Sequence, residues 1–132
     1  MNEVKSGKQF TARILKLEIT PHSHAWHPPT DLFENENGFV VRVEIAGMIE
    51  NDFSIHYDNN MLFVMGNRHI FDTNCAYHRM EIAYGEFSTR ITLPDDANIN
   101  QATAEYENGF LTIYIPRSKP VNINISSQKE ES

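Results

Sequence analysis

The segment from Ala104 to Pro116 restricts the possible folds of this chain more than any other. Two runs in which apolar and polar residues alternate lie on either side of the dipeptide Asn108-Gly109, and a proline ends the second run. Asn and Gly both tolerate a positive φ angle, which the tightest two-residue turns need because their twist must match that of the flanking strands. The segment therefore predicts a β-hairpin.

The same period of two recurs upstream of this hairpin. Apolar residues alternate with more polar ones over residues 39–45, 53–57 and 87–93, and residues 61–65 form a continuous apolar run. Alternation predicts a strand with one buried face, and the continuous run predicts a strand covered on both faces. Because turn-forming residues separate these short strands, the sequence predicts an all-β fold, an immunoglobulin-like β-sandwich.

Composition argues against several other classes of protein. A chain of 132 residues suits one domain with a modest core. Its formal net charge of −7 argues against nucleic acid or an anionic membrane as the main partner. The single cysteine, Cys75, excludes an internal disulfide, and no stretch resembles a signal peptide or the ~20 apolar residues of a membrane-spanning helix. We therefore expect a soluble, cytoplasmic protein.

The chain divides into three zones: an N-terminal arm of residues 1–28, a β domain of residues 29–117 and a C-terminal tail of residues 118–132. The tail begins with a polar linker and continues with alternating apolar residues, namely Val121, Ile123 and Ile125. Alternation of this kind in an extended segment suits addition to the edge of a sheet.

Periodicity leaves the conformation of the arm open. Its apolar residues fit a helix when Phe10, Ile14 and Leu17 are taken together. They fit a strand when Leu15, Leu17 and Ile19 are taken together, and segments this short do not decide between the two.

Five short motifs, in the same order along the chain, resemble the small heat-shock protein (α-crystallin) family. They are Pro-x-Asp-x-x-Glu at residues 29–34, a strand end at residues 43–48, Glu-x-x-Tyr-Gly-x-Phe at residues 81–87 with Leu-Pro at 93–94, Ala-x-x-x-Asn-Gly-x-Leu at residues 104–111, and Ile-x-Ile at residues 123–125. The resemblance covers residues 28–125. It implies an α-crystallin domain without catalytic residues or cofactor. The implied function is that of an ATP-independent chaperone (holdase), which binds unfolding proteins and suppresses their aggregation as a dynamic homo-oligomer.

Two positions depart from the family pattern. Ala46 stands where the family commonly has proline, and Thr89 stands where it often has arginine. Arg90 is adjacent to Thr89, but successive side chains of a strand point to opposite faces. A dimer-interface ion pair built on the usual arginine is therefore in doubt for this chain.

The long connection at residues 67–83 is the candidate dimer element. A connection of this length without its own strand is unusual in a compact domain, and its apolar residues need burial. The resemblance to bacterial, archaeal and plant members implies that it carries a strand exchanged with a partner subunit; the alternative is a surface loop. The exchanged strand would contain Ala76, Tyr77, His78, Arg79 and Met80. The receiving segment of the partner would contain Pro29, Asp31, Leu32 and Phe33.

The resemblance also implies roles for the tail and the arm. Val121, Ile123 and Ile125 would dock in a groove of another subunit, whose walls map onto Phe53 and Ile55 on one strand and Gln101 and Thr103 on the other. The segment from Pro116 to Ile123 reaches at most ~25 Å when extended. The arm would bind clients through its apolar residues, namely Phe10, Ile14, Leu15, Leu17 and Ile19.

Three other functions are alternatives to the holdase. The sequence contains no Walker-type phosphate loop, no Gly-x-Ser-x-Gly and no His-Glu-x-x-His, so we expect no enzyme. A monomeric co-chaperone adaptor shares this sandwich but lacks an Ile-x-Ile tail. His22, His24 and His27 could chelate zinc or copper, but a stable site needs more fixed ligands than this proline-flanked segment offers, so we expect no metal.

Overall fold

The computed structural model of the protein describes residues 8–11, 25–49 and 52–118. These residues form eight strands and one 3₁₀ helix at Ile99–Gln101. The strands are β1 (Lys8–Thr11), β2 (Thr30–Asn35), β3 (Gly38–Glu44), β4 (Phe53–Asp58), β5 (Met61–Arg68), β6 (Gly85–Thr92), β7 (Thr103–Glu107) and β8 (Phe110–Pro116).

The strands form two antiparallel sheets that pack face to face. One sheet has five strands in the order β1-β7-β8-β3-β2, and the other has three in the order β4-β5-β6. This architecture confirms the predicted all-β sandwich. Within the described residues, no helix is long and apolar enough to cross a membrane.

The predicted alternation produces the core between the sheets. Fully buried side chains come from both sheets and from Ile45, which directly follows β3. They are Val41, Val43, Ile45, Leu62, Val64, Phe87, Leu111, Ile113 and Ile115. On β8, Ile113 and Ile115 are buried while Tyr114 between them is exposed, as a period of two requires. Burial of each such side chain contributes roughly 1.5–3 kcal/mol to folding before entropy is counted.

The continuous apolar run of β5 also behaves as predicted. β5 is the central strand of the smaller sheet, paired with β4 on one side and β6 on the other. Leu62 and Val64 face the core, and Phe63, which points to the opposite face, is buried as well. The centre of β5 is therefore covered on both faces.

The predicted hairpin consists of β7 and β8. Glu107 pairs with Phe110 across a two-residue turn, in which Asn108 has φ 55° and Gly109 has φ 82°. Both angles lie in the left-handed region that Asn and Gly adopt at low cost.

Two parts of the predicted arm belong to the sandwich. Lys8–Thr11 is β1, which pairs with β7 from Lys8 opposite Tyr106 to Thr11 opposite Thr103. Phe10 therefore lies in a strand, while Ile14, Leu15, Leu17 and Ile19 lie outside the described residues. Further along, Trp26 forms a parallel bridge with Phe87, through hydrogen bonds of its backbone to Glu86 and Ser88 of β6.

Candidate functional site

The outer edge of β2 has no strand partner among the described residues. β2 pairs only with β3, and its side chains from Asp31 to Asn35 are all exposed. Leu32 is 40% exposed and Phe33 39%, although the Arg42 guanidinium lies 5.3 Å from the centre of the Phe33 ring. The predicted receiving segment is therefore an open, partly apolar sheet edge, the kind of surface that pairs with another chain unless it is covered.

Thr89 helps to hold the beginning of β2. The Thr30 hydroxyl lies 2.9 Å from the Thr89 hydroxyl and 3.0 Å from the Pro28 carbonyl oxygen. The Glu44 backbone amide donates to the Pro29 carbonyl oxygen at 2.9 Å. At the position where the family often has arginine, this chain thus has a neutral hydrogen bond between β6 and β2 of the same subunit.

The long connection between β5 and β6 contains no strand in this chain. Residues 71–82 are all exposed, and they include Phe71, which is 76% exposed, together with Tyr77, Met80 and Ile82. The Tyr77 hydroxyl donates to the Asp72 carbonyl oxygen at 2.9 Å. Partial desolvation and the neighbouring Cys75 raise the pKa of Tyr77 above its usual value. The predicted exchange segment, residues 76–80, is therefore accessible and unpaired with any strand of its own described chain.

The two ends of this connection are held firmly by Arg68. Its Nε and Nη2 donate to the Ala83 carbonyl oxygen at 3.0 and 2.7 Å, and its Nη1 donates to the Ala46 carbonyl oxygen at 3.2 Å. The guanidinium also stacks on Trp26, 4.6 Å from the ring centre. The base of the loop is thereby fixed close to the sandwich, and the exposed residues project from this base.

Of the residues predicted to form the tail groove, Phe53 and Ile55 lie on β4 and Thr103 on β7. Gln101, expected on the same strand as Thr103, instead ends the 3₁₀ helix that precedes β7. Phe53 contacts Tyr106 and Phe87, with ring centres 5.2 and 6.4 Å apart, whereas Ile55 is buried in the core. Among the described residues β4 pairs only with β5, so its other edge is open.

The opposite wall of this groove is different. Gln101 and Thr103 are exposed at the side-chain level, but the backbone edge of β7 is already paired with β1, where Thr11 faces Thr103. The residues Val121, Ile123 and Ile125 lie outside the described residues.

Of the three clustered histidines, His27 alone lies in the described part of the chain. His27 Nδ1 lies 2.6 Å from the Ser88 carbonyl oxygen, to which it donates, and His22 and His24 lie outside the described residues. Over residues 8–11, 25–49 and 52–118, no group of three or more potential ligand side chains could hold a metal ion.

Comparison with known proteins identifies the family. Residues 31–130 match the model of the Hsp20/alpha crystallin family. The chain belongs to this family. It is 35% identical to small heat shock protein C2 of Rickettsia felis over 94 residues, which cover 70% of this chain but only 61% of that relative. It is also 35% identical to small heat shock protein C4 of the same organism over 121 residues, covering 83% of this chain and 74% of the relative.

The fold of solved family members agrees with this assignment. A small heat-shock protein from Xylella fastidiosa, whose crystal structure is described as revealing a distinct high order structure, superposes with a TM-score of 0.64 at 30% identity. The match covers 76% of this chain and 97% of the Xylella chain. The family resemblance drawn from the five motifs, and the α-crystallin sandwich that it implies, are confirmed.

Sequence reasoning missed two features of these surfaces. The first is strand β1. The spacing of apolar residues in the arm is ambiguous, and the sequence of residues 8–11 does not indicate that they pair with β7. The second is the set of contacts around Arg117 at the base of the tail, which joins residues far apart in the chain.

Proposed function

We propose that this protein is an ATP-independent holdase that binds unfolding proteins and suppresses their aggregation as a dynamic homo-oligomer. The observation that carries the proposal is the set of large apolar side chains that the described part of the sandwich leaves exposed, namely Leu32, Phe33, Ile49, Phe71, Tyr77, Met80, Ile82, Phe110 and Tyr114. Exposed apolar surface is one mark of a site that binds other proteins. Membership of the Hsp20/alpha crystallin family supports the same function.

The building block of the oligomer is a dimer made by strand exchange. Residues 76–80 of one subunit pair with the β2 edge of the other, around Pro29–Phe33, and the exchange is reciprocal. The open β2 edge and the exposed loop support this proposal. The β2 edge offers backbone groups without a strand partner among the described residues, and the loop offers an exposed segment that could pair with them.

Higher assembly uses the tail. Ile123 and Ile125 dock between β4 and β7 of another subunit, either along the open edge of β4 or in place of β1 on β7. Burial of two isoleucines is worth roughly 3–6 kcal/mol gross, and ordering the tail offsets much of it. A single docked tail therefore binds weakly. Many docked tails together hold an oligomer by avidity, and individual subunits can still exchange.

Clients bind to the arm, through Phe10, Ile14, Leu15, Leu17 and Ile19, and to apolar surface that becomes exposed when subunits dissociate. No nucleotide is needed, because binding is driven by apolar burial alone. Neither alternative gains support: the matched relatives are small heat shock proteins rather than adaptors, and His27 is engaged by Ser88. We place this function in the cytoplasm, with neither nucleic acid nor membrane as partner.

An aggregation assay tests the proposal. A heat-labile enzyme is heated alone, with this protein at a near-equal molar ratio, and with an equal mass of serum albumin as control, each with and without ATP. We expect this protein, but not albumin, to suppress turbidity, with no effect of ATP. Unchanged turbidity at a two-fold excess over several client enzymes would contradict holdase activity.

A further inference from the structure

The base of the tail is bound to the sandwich beyond the end of β8. Arg117 forms an antiparallel bridge with Ala97. On either side of this bridge, the Asn98 amide donates to the Pro116 carbonyl oxygen at 2.7 Å, and the Ser118 amide donates to the Asp96 carbonyl oxygen at 2.6 Å. The chain is therefore held in a defined path as far as Ser118.

This bridge gives the tail a direction. Because the bridge is antiparallel, the chain from Pro116 to Ser118 passes Asn98 first and Asp96 last. Thr103 lies opposite Tyr114 on β8, so the chain has passed the level of Thr103 before it reaches this bridge. From Pro116 to Ser118 the chain therefore heads away from Thr103, a residue of the predicted groove wall.

The Arg117 side chain locks this path in place. Its Nη2 donates to Glu34 Oε2 at 2.6 Å, its Nη1 donates to the Glu36 carbonyl oxygen at 3.0 Å, and its guanidinium carbon lies 5.4 Å from the centre of the Phe39 ring. The side chain is only 11% exposed. A planar guanidinium that uses two donors and one face at once holds a fixed orientation, which a flexible ammonium or an uncharged side chain does not.

We propose that Arg117 is a positioning residue, which sets the exit path of the tail so that Ile123 and Ile125 reach the groove of another subunit instead of their own. The inference rests on the proposed docking of the tail. Between Ser118 and Ile123 the chain reaches only ~17 Å when fully extended. A tail that first had to reverse direction would lose much of that reach.

The same contact links the two proposed subunit interfaces. Glu34 lies on β2, the strand whose open edge receives the partner's exchanged segment, and Arg117 lies at the root of the tail. Pairing at the β2 edge steadies Glu34, and Glu34 in turn steadies the exit path of the tail. Dimer formation therefore favours tail docking by reducing the number of paths the tail samples.

Three substitutions in the 132-residue chain test the role of Arg117. Arg117→Gln removes the charge, and Glu34→Gln removes the acceptor charge while leaving Arg117 and its contact with Phe39 in place. We expect both variants to assemble to a lower mass than the wild type, measured by light scattering, with the mass of Ile123→Gly with Ile125→Gly as the lower limit. Arg117→Lys, which keeps the charge but not the planar pair of donors, should give a mass between that of the wild type and that of Arg117→Gln. If Arg117→Gln does not fold, Glu34→Gln carries the test.

A peptide of residues 119–128 separates positioning from damage to the groove. It is titrated into the variant Ile123→Gly with Ile125→Gly, whose own tails do not compete, with and without Arg117→Gln. We expect equal affinity for the peptide in both backgrounds, because Arg117 acts on the path of the attached tail and not on the groove. A loss of peptide affinity caused by Arg117→Gln would overturn the positioning role in favour of a merely structural one.

Assembly masses distinguish a failure of the positioning role of Arg117 from a failure of tail docking itself. Wild-type mass in both Gln variants, with small species from Ile123→Gly and Ile125→Gly, would overturn the role of Arg117 and leave tail docking intact. Wild-type mass in the double isoleucine variant would overturn tail docking itself, and the inference with it.

Discussion

The two edges of the five-stranded sheet differ in how they are protected from solvent. At one end, β2 exposes a full strand edge together with Leu32 and Phe33, and no described segment of its own chain covers it. At the other end, the four residues of β1 cover the edge of β7. Unpaired edges promote association with other chains, and native sheets usually protect them. The chain thus protects one edge from within, and we expect another subunit to protect the other.

The two edges also differ in how easily the segment that covers each of them can be displaced. A covering strand of four residues adds few backbone hydrogen bonds, each worth only about 0.5–1.5 kcal/mol net. The proposed exchange across β2, in contrast, is reciprocal and carries apolar side chains with it. We therefore expect changes at the β2 edge to alter the oligomeric state more strongly than changes at the β7 edge.

Deleting residues 70–80 should have the largest effect. The deletion removes the proposed exchange strand and leaves β2 uncovered in both subunits, so we expect monomers or misassembled species in place of dimers. Sedimentation velocity over a range of concentrations measures this. As a control, a Gly/Ser segment of the same length replaces the deleted residues and keeps β5 and β6 connected. Dimers of wild-type affinity would show that another interface holds the subunits together.

The double substitution Ile123→Gly with Ile125→Gly should have the next largest effect. Both residues lie outside the described sandwich, and glycine removes the side chains while raising the entropic cost of an extended tail. We expect dimers or other small species by light scattering, with an unaltered β spectrum by circular dichroism. The matched control is Asn122→Gly with Asn124→Gly, which should assemble normally. An unchanged mass in the isoleucine variant would leave the arm as the element that builds the oligomer.

Prolines in β1 should produce a smaller change at the other end of the sheet. Gln9→Pro with Phe10→Pro removes two adjacent backbone donors, at least one of which faces β7 in an antiparallel ladder. With the β7 edge uncovered, a tail peptide should bind about fivefold more tightly, equivalent to ~1 kcal/mol. Titration into the double isoleucine variant measures the affinity, and Gln9→Ala with Phe10→Ala is the control. Equal affinity in the proline and alanine variants would assign docking to the β4 edge alone.

The smallest effect should come from Thr89→Val. The substitution keeps the shape of the side chain but removes the hydroxyl that contacts Thr30 at the beginning of β2. We expect a loss of about 0.5–1 kcal/mol in the free energy of unfolding, measured in urea. Thr92→Val, an exposed site on the same strand, should change stability by less than ~0.5 kcal/mol. A Thr89→Val protein as stable as wild type would mean that β2 is held by its ladder with β3 alone.

Local patterns in the sequence were sufficient for the sandwich and for its core. Alternation over residues 39–45 and the apolar run at residues 61–65 predict which faces are buried, because the side-chain period of a strand is the same in every sheet. Asn108-Gly109 predicts the hairpin turn because its backbone requirement is met by these two residues themselves. Strand exchange through residues 76–80 and docking of Ile123 and Ile125 stay predictions, since they concern contacts between subunits.

Only the tertiary structure decided which distant segments meet. The pairing of β1 with β7 joins residues at opposite ends of the chain, and the Glu34–Arg117 ion pair joins residues 83 positions apart. Neither carries a local signal, because any exposed carboxylate suits an arginine and any short extended segment suits an open edge. The arrangement of the sheets places these partners side by side, so the cover on β7 and the contacts of Arg117 follow from the tertiary structure and not from a local pattern.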